Sequence, residues 1–192
     1  MFKETAKSTE VVTAAFVAGT QSASAAKGGG VFRIECFGAD GALKWADENH
    51  NLVVNEGLQD MNAKYFKGIG YTAAWYLGLV TGPSSGTVFA AGNTLASHSG
   101  WTEFTDYTGN RKAVTFGTAT TADPSVIDNT AAAVSFTVSG AGGVVAGAFL
   151  CSVATGTSGV LFSGSDFASP GDRTVVSGDT LNVTYTFSLD AA

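Results

Sequence analysis

The sequence predicts a mainly β protein: an antiparallel β-sandwich, jelly-roll-like, with one short α-helix and an N-terminal arm. The segments Ala133–Ser139 and Leu181–Leu189 alternate cleanly, with apolar residues on one face and Ser, Thr or Asn on the other. From residue 71 onward, short β-forming runs are separated by turn residues, as in sandwiches. Charged residues make up only 14% of the chain, against roughly 25% in typical soluble domains. This composition favours a protein that buries part of its surface against neighbouring subunits.

The first 30 residues are predicted to form an arm that precedes a β-sandwich domain over residues 31–192. The arm contains few large apolar residues and ends in Lys27-Gly-Gly-Gly30, which predicts a flexible joint. Alone, such a segment cannot bury enough surface to offset its ordering entropy. We therefore expect the arm to contact a neighbouring subunit.

The N-terminus also has features of an export signal. Val11–Val17 is a short apolar run, and Ser22-Ala-Ser-Ala25 is similar to a cleavage site. However, Glu4 and Glu10 occupy the region where a signal would be positively charged. No apolar stretch approaches the roughly 20 residues that span a bilayer. We expect cytoplasmic synthesis and no membrane segment.

Residues 31–54 predict a β-hairpin. The first strand, Val31–Phe37, places apolar residues at every second position. Asp40-Gly41 supplies the turn, and Leu43–Trp45 begins the returning strand. We expect Leu52–Val54 to extend the same pairing.

One helix is predicted near residues 56–67, with Asn55 as its cap and Gly68 as its end. Acidic residues lie near its start and basic residues near its end, which matches the helix dipole. Leu58, Met61 and Tyr65 fall on one face, which we expect to pack into the core.

The remainder of the chain is predicted to form short strands. These are Tyr71–Val80, Thr102–Tyr107, Lys112–Thr120, Ala131–Ser139, Val144–Ser152, Val160–Ser163, Thr174–Val176 and Leu181–Leu189. Trp75–Val80 has the composition of a core strand. We see no internal repeat and no further domain boundary.

The charge distribution excludes some functions. The net charge is −6, so the chain has no basic footprint for nucleic acid. From Ala113 to Ala192 the only base is Arg173, and that half contains no His, Lys or Glu. A polyanion would be repelled from it, and most acid–base catalysis would lack its usual side chains there.

Four residues could in principle ligate zinc: Cys36, His50, His98 and Cys151. No two of them have the close spacing of structural zinc sites. We expect the two cysteines to be buried thiols, although the sequence leaves a disulfide between them open. We expect His98 to anchor its turn through a hydrogen bond.

Serine catalysis and glycoside cleavage are also disfavoured. Ser97-His98-Ser99 lies near Glu103 and Asp106, but adjacent residues rarely adopt triad geometry and no G-x-S-x-G elbow is present. Two acids three apart on a strand point to opposite faces, which disfavours a hydrolase pair. The nearby aromatics make a sugar-binding surface the better alternative; they are Trp101, Phe104 and Tyr107.

The glycine-rich segments and the loop acids carry no stronger pattern. Gly28–Gly30 and Gly140–Gly143 lack the Lys of a P-loop, so we interpret them as a linker and a turn. Five acids lie near turns without forming a calcium-binding loop: Asp123, Asp128, Asp166, Asp172 and Asp179. Such residues mostly bond their own backbone, although a surface cation stays open. We predict no catalytic, cofactor-binding or metal-binding residue.

Several segments together resemble a family of small virion structural proteins of tailed bacteriophages. They are Phe32–Cys36, Ala39–Trp45, Asn51–Leu58, Trp75–Val80, Leu95–His98, Gly100–Glu103, Gly147–Val153 and Gly178–Tyr185. The resemblance covers roughly residues 31–189, and its motifs are packing and turn motifs that bring no catalytic residue.

The resemblance implies a non-enzymatic building block located in the virion and assembled in the host cytoplasm. A capsid decoration (cement) protein that reinforces the shell is the first expectation. The alternatives are a neck, collar or tail component, or a glycan-binding receptor module. The expected partners are the major capsid protein or other virion subunits, and a homo-oligomer with a trimer favoured. We expect no cofactor and no nucleic acid or membrane partner.

Overall fold

The computed structural model describes residues 26–71, 74–81, 89–167 and 171–191. Residues 1–25 of the predicted arm therefore lie outside the described residues. The elements, in chain order, are β1 (Ala26–Phe37), β2 (Leu43–His50), β3 (Leu52–Val53), α1 (Asn55–Lys67), β4 (Tyr76–Thr81), β5 (Thr102–Phe104), β6 (Lys112–Ala113), β7 (Ser125–Asp128), a 3-10 turn (Thr130–Ala132), β8 (Val134–Thr137), β9 (Gly143–Val145), β10 (Gly147–Cys151), β11 (Leu161–Asp166), β12 (Arg173–Val175) and β13 (Thr180–Ala191).

The strands form two main antiparallel sheets, which confirms the predicted β-sandwich. The first sheet has the order β2-β1-β13, and both β7 and β8 pair with the far edge of β13. The longest pairing of this sheet is between β1 and β13, and it runs from Ala26 opposite Ala191 to Phe37 opposite Thr180. The second sheet has the order β3-β11-β10-β4-β5, with β6 also on β4. A small ribbon joins β9 to β12.

The main core lies between the two sheets. Alternate residues of β1 and β13 point into it, as the sequence predicts, and Phe32 packs on Tyr185 with ring centroids 4.6 Å apart. A second cluster covers the other face of the second sheet, where Phe149 and Trp101 meet. Because both faces are covered, every residue of β10 is buried. A Cβ at Gly78 would lie 2.3 Å from the Phe149 ring, so this close approach requires glycine.

Two predictions for the start of the domain are wrong. The expected joint, Lys27–Gly30, belongs to β1 and pairs with residues 187–190. Strand hydrogen bonds use the backbone alone, so glycine is no obstacle to this pairing. Leu52–Val53 does not extend the hairpin but pairs with β11 of the other sheet. At this crossover the Asn51 side chain accepts a 2.6 Å hydrogen bond from the Gly30 N–H and donates a 2.8 Å bond to the Tyr185 hydroxyl.

The helix occurs where expected and ends at Gly68, which has φ 63°. Asn55 is its first residue and not its cap; Val54 precedes it without a side-chain cap bond. The Glu56 carboxylate instead accepts backbone N–H groups of Leu95 and Leu161, at 3.4 and 2.8 Å. The helix is thus tied to the second sheet by a carboxylate in its first turn.

The predicted buried face of the helix is wrong in two of its three residues. Met61 packs against the core, whereas Leu58 is 45% exposed and Tyr65 is 83% exposed. The helix contacts the sandwich along Gly57 instead, where a Cβ would lie 2.5 Å from the Phe162 carbonyl oxygen. This close backbone approach makes the contact narrow and turns Leu58 and Tyr65 away from it.

The strand boundaries differ in detail from the prediction. Strand β7 was not predicted, and the expected strand over residues 112–120 shortens to β6. The expected strand over residues 144–152 divides at Ala146 into β9 and β10, which join different sheets. The glycine-rich segment 140–143 forms the predicted turn before β9, and Gly142 has φ 83°.

Candidate interaction surface

The acids singled out by the sequence hold loops in place. The Glu103 carboxylate accepts two hydrogen bonds from the Arg111 guanidinium, at 2.9 and 2.7 Å. Arg111 also donates to the carbonyls of Val153 and Gly156. Asp106 accepts the Gly142 N–H at 2.7 Å. The two acids therefore have different partners: Glu103 joins β5 to the loop of Arg111, and Asp106, after β5, holds the turn before β9.

The aromatic residues near these acids do not form a sugar-binding surface. Trp101, Phe104 and Tyr107 are each no more than 5% exposed. Burial raises the pKa of the Tyr107 hydroxyl above its ordinary value. The expectation of a sugar site at this position is wrong, because these rings belong to the core.

His98 anchors its turn, as predicted. Its Nδ1 lies 3.2 Å from the Trp101 carbonyl oxygen, and its ring stacks on the Trp101 indole at 3.6 Å. The indole N–H donates to the Asn93 side chain at 3.1 Å. Ser97 donates its N–H to the Thr94 hydroxyl, 2.9 Å away. These bonds account for the Ser-His-Ser segment as a turn.

Both cysteines are buried free thiols, and they lie in separate clusters. Burial raises the pKa of Cys36 to about 11, and burial also raises the pKa of Cys151. The Cys151 thiol donates to the Val153 carbonyl at 3.3 Å. The disulfide that the sequence left open is therefore not formed. Within the four described ranges, no three His, Cys, Asp or Glu residues are placed to hold a metal ion.

The loop acids have mixed roles. Asp128 accepts the Thr130 N–H at 2.7 Å. Hydrogen bonds from the side chain and the backbone of Thr130 lower the pKa of Asp128. Asp179 is buried, forms an ion pair with Lys44 and accepts the Val176 N–H. Both acids bond nearby backbone, as the sequence analysis expects of turn residues. Asp166 differs, because burial raises its pKa to about 6.

The structure brings apolar side chains together on the outside of the molecule, at the C-terminal end of α1. We define the helix-end surface as Tyr65, Phe66, Ile69, Tyr71 and Leu189, which are between 41% and 83% exposed. The Tyr65 and Phe66 rings meet edge to face at 5.0 Å. Leu189 comes from the far end of β13, so the surface joins the helix to the first sheet.

A cleft of about 200 Å³ lies beside the helix-end surface, between α1 and the end of the sandwich. Its walls are mainly aromatic and aliphatic. They include Met61, Trp75, Phe116, Ile127 and Phe187. A broader depression of about 600 Å³ opens next to it, and its lining includes Met61, Tyr65, Phe66, Tyr71 and Leu189. Surface and cleft together form one apolar concavity.

Charged side chains border this concavity. Lys64 donates to the Gly70 carbonyl at 3.1 Å, lies 5.7 Å from the Tyr71 ring centre, and is 3.7 Å from Asp60. Lys67 is exposed in the last turn of the helix. The Lys64 contacts fix the turn that carries Tyr71.

Large exposed apolar patches on soluble proteins mark interaction sites. Sequence reasoning missed this surface because it assigned Tyr65 to the core. The sequence does contain an indication that part of this aromatic pair is exposed. Tyr65 and Phe66 are adjacent, so their side chains point about 100° apart and cannot share one narrow buried stripe. Ile69 and Tyr71 then follow the helix end within a few residues.

Comparisons of the chain with protein-family models, curated proteins and solved structures find no significant match. In the part of the chain that the structure describes, no helix is long and apolar enough to cross a bilayer.

Proposed function

We propose that this chain is a non-enzymatic structural subunit of a tailed-bacteriophage virion, a capsid decoration protein that reinforces the shell through subunit contacts. The observation that carries the proposal is the helix-end surface with its adjoining cleft. A protein that works by association needs such an apolar surface, whereas a solvated monomer has no use for one. The resemblance of the sequence to virion proteins of tailed bacteriophages is the reason for proposing a virion as the assembly.

The energy available from this surface is appreciable. Tyr65, Phe66 and Tyr71 are 83%, 77% and 63% exposed, so covering them removes about 450 Å² from water. At about 25 cal/mol per Å², this corresponds to roughly 11 kcal/mol before the costs of association. Those costs are about 4–15 kcal/mol, so the surface needs further contacts to give stable association. A particle with many subunits supplies those contacts.

The rest of the molecule suits a rigid building block. The β1–β13 pairing runs through twelve residues on each strand, and both faces of the second sheet are covered. The partners we propose are the major capsid protein and further copies of this chain, in a closed ring for which a trimer is favoured. Each copy bound to the assembled shell stabilises that shell by mass action.

The test is a copy count in purified particles of the virus that encodes the chain, by quantitative mass spectrometry against the major capsid protein. We expect many copies per particle, together with loss of heat resistance in particles lacking the protein. About a dozen copies or fewer would instead place it in the neck, collar or tail. Its absence from purified particles would contradict the virion proposal altogether.

A further inference from the structure

We infer that the helix-end surface of one copy binds the apolar segment Val11–Val17 from the arm of a neighbouring copy. This inference rests on the proposed assembly function and names one of its contacts. The occupant is thus a segment of this same chain, supplied by a second molecule.

The first argument is position. Strand β1 begins at Ala26, which lies opposite Ala191, and Gly28 lies opposite Leu189. Leu189 is itself part of the helix-end surface. The 25 residues before Ala26 therefore leave the body at the same end of the sandwich that displays the surface. Two copies that meet at this end bring each arm next to the other copy's surface.

The second argument is the shape of the receiving site. A Cβ at Gly28 would lie 3.4 Å from both Leu189 and Phe187, in ordinary van der Waals contact. The Leu189 and Phe187 side chains therefore lie directly over the Gly28 backbone. Leu189 nevertheless stays 41% exposed. An apolar side chain from another molecule can cover this exposed part.

The third argument is chemical complementarity. Val11–Val17 is the main apolar run of the arm, and its Phe16 is suited to an aromatic-lined cleft. Glu10 comes immediately before the run. Lys67 is exposed and follows Phe66 of the surface in sequence, so it is a candidate partner for a carboxylate of the incoming segment. An extended run of seven residues covers about 23 Å, comparable with the distance across a helix and its neighbouring strands.

The fourth argument concerns which molecule supplies the segment. Pairing with β13 holds β1 extended up to Ala26, so the backbone at that residue points away from the body. A return to its own surface would require a reversal within residues 18–25. That stretch contains Gly19, Ser22 and Ser24, but no Asn-Gly or Asp-Gly pair and no Pro, the strongest signals for a tight turn. Eight residues span up to about 28 Å when extended, which reaches a neighbouring molecule.

The experiment uses three full-length variants. The arm variant carries Val12→Asp and Phe16→Asp, and the surface variant carries Tyr65→Asp and Phe66→Asp. The control is Leu43→Asp, a similarly exposed apolar residue (56%) at the opposite end of the first sheet. Circular dichroism and thermal unfolding confirm that each variant is folded. Light scattering over a dilution series then gives the mass and the dissociation constant.

We expect the arm and surface variants each to weaken self-association at least about 30-fold, since each removes anchor residues. The control should match the unaltered chain. A mixture of the arm and surface variants is the decisive sample. The first still has an intact surface and the second an intact arm, so the mixture should form pairs of chains and nothing larger.

Three outcomes would overturn the inference: an unchanged mass in either variant, a mixture that stays single-chain, or a monomeric unaltered protein. In the last case, slow hydrogen exchange over residues 65–71 that speeds up in the arm variant would show docking within one chain. The copy count in particles is independent of this result. Arm binding between copies in solution, without incorporation of the protein into particles, would refute the virion proposal alone. Incorporation into particles without arm binding between copies would refute this inference alone.

Discussion

Replacing Arg111 by Met should test how the loops around the second sheet are held. The Arg111 side chain is only 6% exposed. Its guanidinium donates hydrogen bonds to the Glu103 carboxylate and to the carbonyls of Val153 and Gly156. It also lies 5.2 Å from the Phe149 ring centre. Met keeps an apolar stem over that ring and removes every hydrogen bond. Breaking a fully buried ion pair costs about 3–5 kcal/mol. Because the Glu103 side chain is 24% exposed, water replaces part of the lost interaction. We expect a loss of about 2–3 kcal/mol.

The assay is urea unfolding followed by tryptophan fluorescence, with thermal unfolding as a second measurement. At about 2–4 °C per kcal/mol for a chain of this size, Tm should fall by roughly 5–10 °C. Adding Glu103→Gln to Arg111→Met should recover about 1 kcal/mol, because it removes the unpaired charge. An Arg111→Met protein within about 0.5 kcal/mol of the unaltered chain would refute the reasoning.

Three further predictions concern titration, redox state and packing. Burial raises the pKa of Asp166 to about 6, so the native state binds more protons than the unfolded state between about pH 4 and 6. The free energy of unfolding should therefore fall as pH rises through that window, and Asp166→Asn should reduce this fall. Because the side chain is partly exposed, urea titrations should show that the fall due to Asp166 is less than about 1 kcal/mol. An unchanged pH slope in this variant would contradict the assignment. Cys36 and Cys151 should react with a thiol reagent only in denaturant, and a reductant should leave Tm unchanged; rapid labelling of the native protein would contradict their burial. Phe149→Ala should cost about 3–5 kcal/mol, whereas Phe66→Ala should change the stability of the single chain by less than about 0.5 kcal/mol; equal losses would show that Phe66 is part of the core.

The elements that the sequence predicted well are those specified by neighbouring residues. The first half of the alternation predicted for Leu181–Leu189 reappears as alternating buried and half-buried positions from Leu181 to Tyr185 of β13. Gly68 ends the helix because the left-handed backbone there favours glycine. Asp40-Gly41 forms the turn of the first hairpin, with Gly41 at φ 78°. In each case the physical constraint acts within a few residues, so a local pattern is enough.

The elements that it predicted poorly depend on distant partners. Leu52–Val53 forms a strand as expected, but its partner is Ser163–Gly164 of the other sheet. Tyr65 lies on the predicted helix face, yet the close contact between Gly57 and the Phe162 backbone leaves Tyr65 exposed while Met61 packs against the core. A helical period identifies a stripe of residues without saying what will cover it.

The candidate surface shows the same division. The sequence by itself determined the fold class, the helix and its end, the core strands and the anchoring role of His98, because periodicity and turn chemistry are local. Only the tertiary structure decided that Trp101 is covered, that Tyr65 and Phe66 are exposed, and that Leu189 stands beside them. Trp101 is covered by the cluster on the outer face of the second sheet, and the contact of Gly57 with Phe162 sets which helix residues are exposed. The position of Leu189 depends on the register between β1 and β13, which joins residues more than 140 positions apart. Each of these outcomes depends on a contact between residues that are distant in sequence, and a local pattern does not specify such a contact.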